Sequence, residues 1–242
     1  MTTALELNDL STDDIADVEA ASLRLGITRE MLTEAAARGA GVLARRLLNN
    51  QLEDQPVVAL VGTGVKGAVA LHVLRILNGF GAECTAILAG SEQQMRPETV
   101  AAAELCERLR FRLLQPRSPA VRGALADARL VLDGLVGVGL EGAPREPHAT
   151  LIRLANEVQR NVLALECPSG LDPDSGEPMR PTLKARATLA LGLTPAGNFA
   201  SLAWQFTGEL WLCDIGYPTE AANQCEIDTD GLFAESDMVR IR

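Results

Sequence analysis

The chain has 242 residues, 47% hydrophobic, 3% aromatic and 22% charged, which excludes a disordered chain and predicts one large domain or two small ones with an aliphatic core. A net charge of −10 with no cluster of Lys and Arg disfavours nucleic acid and anionic membrane as general partners, and no apolar run approaches the ~20 residues that cross a bilayer. No basic-then-apolar leader is visible, and five cysteines without a CxxC pair beside only two histidines point to reduced thiols in a cytoplasmic protein, not a disulfide scaffold, zinc site or histidine-rich metal centre.

The first fifty residues predict two helices. Ser11-Thr12-Asp13-Asp14 reads as a capping box, with Ile15, Val18, Ser22 and Leu25 at helical spacing behind it and Gly26 as the stop. A second helix over 28–48 sets Met31, Leu32, Ala35, Gly39, Val42, Leu43 and Leu47 on one side, with small residues that admit a close neighbour. After Pro56 the pattern becomes strand, turn, helix. Strands are predicted over 57–61, 84–88, 111–114, 130–133, 162–166, 187–191 and 208–214, and helices over 67–77, 97–110, 119–126 and 147–160. This alternation implies right-handed βαβ units and a mostly parallel sheet covered on both faces, a three-layer α/β domain. The polar stretch from Thr219 is expected on the surface.

Three of these strands run into glycine turns. Val57–Val61 leads to Gly62-Thr63-Gly64-Val65-Lys66-Gly67, Leu130–Leu132 to Asp133-Gly134-Leu135-Val136-Gly137-Val138-Gly139, and Val162–Leu165 to Glu166-Cys167-Pro168-Ser169-Gly170-Leu171-Asp172. Parallel strands deliver such turns to one sheet edge, where open α/β sheets bind ligands. The spacing of Gly62, Gly64 and Gly67 matches GxGxxG, but no Asp or Glu closes the next strand to hold a ribose, which disfavours an ordinary NAD dehydrogenase.

Together these segments resemble the YjeF N-terminal domain family, the NAD(P)H-hydrate epimerases. The resemblance rests on Asp133-Gly134-Leu135-Val136-Gly137-Val138-Gly139-Leu140-Glu141-Gly142, Arg145-Glu146-Pro147, Pro168-Ser169-Gly170-Leu171-Asp172 and Gly176, with matching ends at Gly26-Ile27-Thr28 and Asp214-Ile215-Gly216-Tyr217-Pro218. It implies a Rossmann-like αβα sandwich over 1–242, with residues 1–50 packed on it and no fused dehydratase domain. It also implies exchange of the R and S epimers of hydrated NADH and NADPH with no redox cofactor, and a homodimer. Asp133 matches the family's potassium contact beside the substrate ring, and Ser169 a second potassium ligand. Gly137, Val138, Gly139, Leu140, Glu141 and Gly142 match the loop around the substrate phosphates, Gly62, Gly64 and Gly67 belong to the first substrate loop, and Glu166 replaces an aspartate that holds a substrate hydroxyl. Asp133 and Ser169 could instead simply cap their turns.

The first loop departs from the family's GxGNNGGDG. Val65-Lys66-Gly67-Ala68-Val69 lacks both asparagines and the aspartate, and Lys66 stands where an asparagine supplies an oxygen to potassium. A protonated lysine has no lone pair to offer, so a potassium site of the family kind is weakened or lost. One reading makes Lys66 the replacement cation, paired with Asp133 and Ser169; the other points it to solvent. Val65 and Val69 remove polar contacts to a phosphate or ribose. The expectation is an epimerase-like protein with catalytic Asp133 and Lys66 and activity reduced or lost. The alternatives are a non-catalytic nucleotide-binding or scaffold domain, or a site shifted to another nucleotide or sugar phosphate.

Overall fold

The computed structural model describes residues 8–139 and 142–242. Eight strands form one sheet in the order β3-β2-β1-β4-β5-β6-β7-β8. They are β1 Pro56–Val61, β2 Glu83–Leu88, β3 Arg112–Leu114, β4 Leu130–Gly134, β5 Val162–Leu165, β6 Ala187–Leu191, β7 Glu209–Cys213 and β8 Met238–Arg240. All pairings from β3 to β7 are parallel, and β8 is antiparallel to β7. The chain winds outward from β1 to β3, then returns to place β4 on the other side of β1, with Leu60 opposite Asp133. That reversal opens a crevice at the carboxyl ends of β1 and β4.

Alternation along β1 builds the two flanking layers. Val57, Ala59 and Val61 face one core with α2 (Arg29–Leu47), α3 (Val65–Asn78) and α4 (Pro97–Arg108). Val58 and Leu60 face the other, with α5 (Ala120–Asp127) and α6 (His148–Val158). A third cluster, Leu10, Val18, Ala21, Leu193, Ala221, Ala222 and Ile227, packs α1 (Thr12–Arg24) on α8 (Thr219–Gln224). The capping box forms as read: Asp14 N–H donates to Ser11 Oγ at 3.1 Å, and Ser11 N–H donates to the Asp14 carboxylate at 2.8 Å. Thr28 caps α2. The small residues of α2 do admit neighbours: a Cβ on Gly39 would lie 2.8 Å from Cys213 Sγ, and one on Gly41 3.0 Å from Ile76.

Three expectations change. Met31 and Val42 are exposed, because the inward stripe follows Leu32, Ala36, Ala40, Leu43 and Leu47 and leaves both about a quarter-turn off it. Helix α3 starts at Val65, not at Gly67, so Lys66 sits in its first turn. The segment from Thr219 is built into the fold, since Ala221 and Ala222 bury α8 and Met238-Val239 supply an edge strand.

Candidate functional site

The loop after β1 crosses the loop after β4 at close range. Gly62 N–H donates to Gly134 O at 2.8 Å, and a Cβ on Gly62 would collide with the carbonyl of Leu135. A Cβ on Gly67 would collide with the Gly62 carbonyl. Both positions therefore need glycine for backbone approach, with no ligand involved. Gly64 is the uncapped, extended N-cap of α3; it and Gly139 face open space, as does Gly142, whose φ of +72° suits glycine. Leu140 and Glu141 lie outside the described residues.

This crossing sends Lys66 inward. Its side chain is 5% exposed, and Nζ donates to Val136 O and Cys167 O, both at 2.8 Å, and to Ser169 Oγ at 3.4 Å. Asp133 Oδ2 lies 3.6 Å away. Asp133 is fully buried at the end of β4 and accepts from Ser169 N–H (2.7 Å), Ser169 O–H (2.6 Å) and Leu135 N–H (3.2 Å). Ser169 Oγ in turn accepts from Val136 N–H at 3.0 Å. One ammonium and one carboxylate thus tie together the loops after β1, β4 and β5. A charge pair this deep persists because each member is hydrogen-bonded beyond the pair itself.

Glu166 is the carboxylate placed differently. It is the first residue past β5, with φ of +61°, and Cys167 N–H donates back to Leu165 O at 2.7 Å, closing a γ-turn. A non-glycine residue there stores roughly 1–3 kcal/mol, held by its surroundings. Glu166 N–H donates to Leu189 O at 2.8 Å, and Asn198 Nδ2 donates to Glu166 O at 2.9 Å. The same turn at the end of β6 uses Gly192, with φ of +72° and Leu193 N–H donating to Leu191 O. A Cβ on Gly137 would collide with the Glu166 carboxyl group, so that glycine makes room for it. Burial pushes the Glu166 carboxyl above its ordinary range, against the lowering effects of the Lys66 ammonium and the Val138 amide.

Glu166 borders a cavity of about 140 Å³ walled by Leu32, Val65, Val69, Val138, Leu191, Leu193 and Ile215, with Tyr217 beside it. Helix α1 roofs it through Thr12, Ile15, Ala16 and Glu19. The roof is held by Thr12, whose N–H and Oγ–H donate to Asp174 at 2.7 and 3.0 Å, by Ala196 N–H donating to Leu10 O, and by a Glu19–Arg29 ion pair of 3.3 Å. Asp133 does not line this cavity. The described residues among those read from the sequence converge on one sheet edge, but Glu166 lines the cavity and Asp133 does not, since Ser169 and the Val136 loop seal Asp133 in. Sequence reasoning missed the carbonyls of Val136 and Cys167, which carry no side-chain signal, and Asn198, whose only hint is its place just after Pro195-Ala196-Gly197.

Residues 29–197 match the family described as YjeF-related protein N-terminus. The NAD(P)H-hydrate epimerase of Cenarchaeum symbiosum is 31% identical over 220 residues, covering 88% of this chain and 97% of that protein. That of Dehalogenimonas lykanthroporepellens is 33% identical, with 77% and 73% covered. A bifunctional NAD(P)H-hydrate repair enzyme of Coxiella burnetii is 29% identical over 84% of this chain, which spans 40% of its length. The crystal structure of the yeast protein ynu0 (YNL200c) shares the fold end to end, with a TM-score of 0.82 at 16% identity. The chain belongs to the YjeF N-terminal family.

Proposed function

We propose that this member of the YjeF N-terminal family interconverts the R and S epimers of hydrated NADH and NADPH, a repair step with no nicotinamide redox chemistry. The observation that carries the reading is Glu166, its carboxyl raised above the ordinary range, at the border of a largely apolar cavity of about 140 Å³. Burial favours the neutral form of this carboxyl, which gives its proton to the ring hydroxyl; the C–O bond breaks, and water leaves behind a ring cation. The resulting Glu166 carboxylate stabilises that cation. Water then adds to either face of the ring and returns a proton to Glu166, so the net change is only at the hydroxylated carbon. The walls formed by Val65, Val69 and Val138 favour the uncharged ring and exclude bulk water. Asp133 and Lys66 position the site by fixing its three loops.

Potassium does not fit this chain. The oxygens of Val136, Cys167, Ser169 and Asp133 that could surround a monovalent cation already surround Lys66 Nζ. Lys66 is therefore assigned as a covalently attached cation in the place of a free one, and no step is drawn through a metal.

A second reading, a non-catalytic nucleotide-binding or scaffold domain, is favoured by the size of the cavity. Its ~140 Å³ lies below the roughly 300–1,000 Å³ of ordinary ligand pockets, and α1 closes it. In the epimerase reading α1 lifts to admit the nucleotide, whose phosphates lie along Gly137, Val138 and Gly139. Leu25, Met31 and Val42, exposed around α1 and α2, support a homodimer through this helical segment. Among the described residues no helix is long and apolar enough to cross a membrane, and the free cysteines support a reducing, cytoplasmic setting. A dehydratase-coupled assay on the R epimer tests the reading: turnover above the spontaneous rate that is lost in Glu166→Gln supports it, whereas no turnover from folded protein selects the scaffold reading.

A further inference from the structure

We propose a second ligand site, for a linear oxyanion carrying two or more charges, at the sheet edge opposite the Glu166 cavity. The residues immediately before four strands are Gln55 (β1), Arg129 (β4), Asn161 (β5) and Arg186 (β6). The order β1-β4-β5-β6 sets these four on neighbouring strands, each stepped one residue from the last by the strand register. The turns ending α2 and α6 bring Gln51 and Arg160 to the sides, and together they border a cleft of about 270 Å³. No Asp or Glu lines it.

The donors are preset. Asn161 Nδ2 donates to Arg129 O at 3.3 Å, and its Oδ1 accepts from Arg186 Nη1 at 3.1 Å. Arg160 spends its guanidinium on Ala126 O, at the end of α5. Among the described residues the Arg129 guanidinium has no hydrogen-bond partner and none of the three arginines there forms an ion pair. Helix carboxyl ends at this edge carry about half a negative charge each, so three guanidinium groups outweigh them. On a chain of net charge −10, a gathered set of unmatched arginines is an attractive field confined to one cleft. Planar guanidinium groups favour phosphate-type oxygens taken two at a time, and donors spread along an edge favour a chain of such groups over a single one. The chemical class is pyrophosphate or longer polyphosphate, free or as the tail of a nucleotide. The length of β4, five residues at about 3.3 Å each, keeps this site clear of the Glu166 cavity, so it does not depend on the epimerase reading.

Calorimetric titration of the full chain with pyrophosphate, tripolyphosphate and ATP tests the site. The expected result is saturable one-to-one binding of tripolyphosphate, weakened at least tenfold in Arg129→Gln/Arg186→Gln and unchanged in Arg117→Gln, an exposed arginine elsewhere. ATP binding as tightly as tripolyphosphate supports free polyphosphate, and tighter binding supports a nucleotide. Arg129→Gln alone removes a side chain with no partner and so keeps the fold; it weakens binding too. Absence of saturable binding at millimolar tripolyphosphate, or equal affinity in the folded double variant, overturns the proposal.

Discussion

Lys66→Met keeps the length of the side chain and deletes its charge. The Asp133 carboxylate would stay buried with its N–H and O–H donors from Leu135 and Ser169 but without a cation, and Val136 O and Cys167 O would lose their 2.8 Å donor. Removing one partner of a buried pair costs about 3–5 kcal/mol. That is a large share of the roughly 5–15 kcal/mol that holds a domain folded. In a domain of this length it lowers Tm by roughly 6–20 °C. Urea unfolding followed by circular dichroism in sodium and potassium buffers measures it. Lys66→Ala goes further, because it empties the oxygen cage instead of filling it with a methyl group. In potassium at a hundredfold excess over Kd it regains about 2.7 kcal/mol, while the wild type, whose cage is full, gains nothing specific to potassium. A Lys66→Met loss under about 0.5 kcal/mol, within what surface substitutions reach, would refute the cage, as would potassium-specific stabilisation of the wild type.

Glu166→Gln tests the raised carboxyl. A folded-state pKa above the unfolded one contributes stability at pH values below the ordinary glutamate range and loses it as pH rises through the raised value, so the variant should gain on the wild type toward alkaline pH in urea midpoints taken from pH 5 to 9. A parallel stability profile in the two proteins would contradict the shift. Asn198→Ala removes the donor to Glu166 O and should cost about 1–3 kcal/mol with a lowered kcat, while an unchanged urea midpoint would show that the γ-turn holds itself. The thiols of Cys84, Cys106, Cys167 and Cys213 are pushed up to about 12 by burial, so a disulfide reagent at pH 8 should titrate one thiol, Cys225, in the native protein and five after denaturation. Rapid reaction of a second thiol would show that the core around these strands opens.

The sheet was legible because its central strands are buried on both faces and read as unbroken apolar runs, such as Val57–Val61 and Val162–Leu165. Strand β8 was not, since Met238–Arg240 is too short to show a period and is defined only by its pairing with β7. The inward face of α2 was misjudged for a related reason: Met31 and Val42 are apolar, but burial follows the small residues that let α3 and β7 approach. At the site, the glycines and acids stood out as residue types. Their roles depended on geometry: Gly62 and Gly67 serve backbone crossings, Asp133 is sealed by Ser169, and Glu166, at a positive φ, borders the cavity. The backbone oxygens around Lys66 have no counterpart in side-chain identity at all.

The most direct test of the proposed activity is conversion of the R epimer of hydrated NADH, with a dehydratase specific for the other epimer as reporter, in sodium and in potassium buffer. Turnover above the spontaneous rate, equal in both salts and abolished by Glu166→Gln, is the expected result. Turnover that requires potassium would contradict the Lys66 assignment. Turnover that survives Glu166→Gln, or none from folded wild-type protein, would contradict the catalytic site itself.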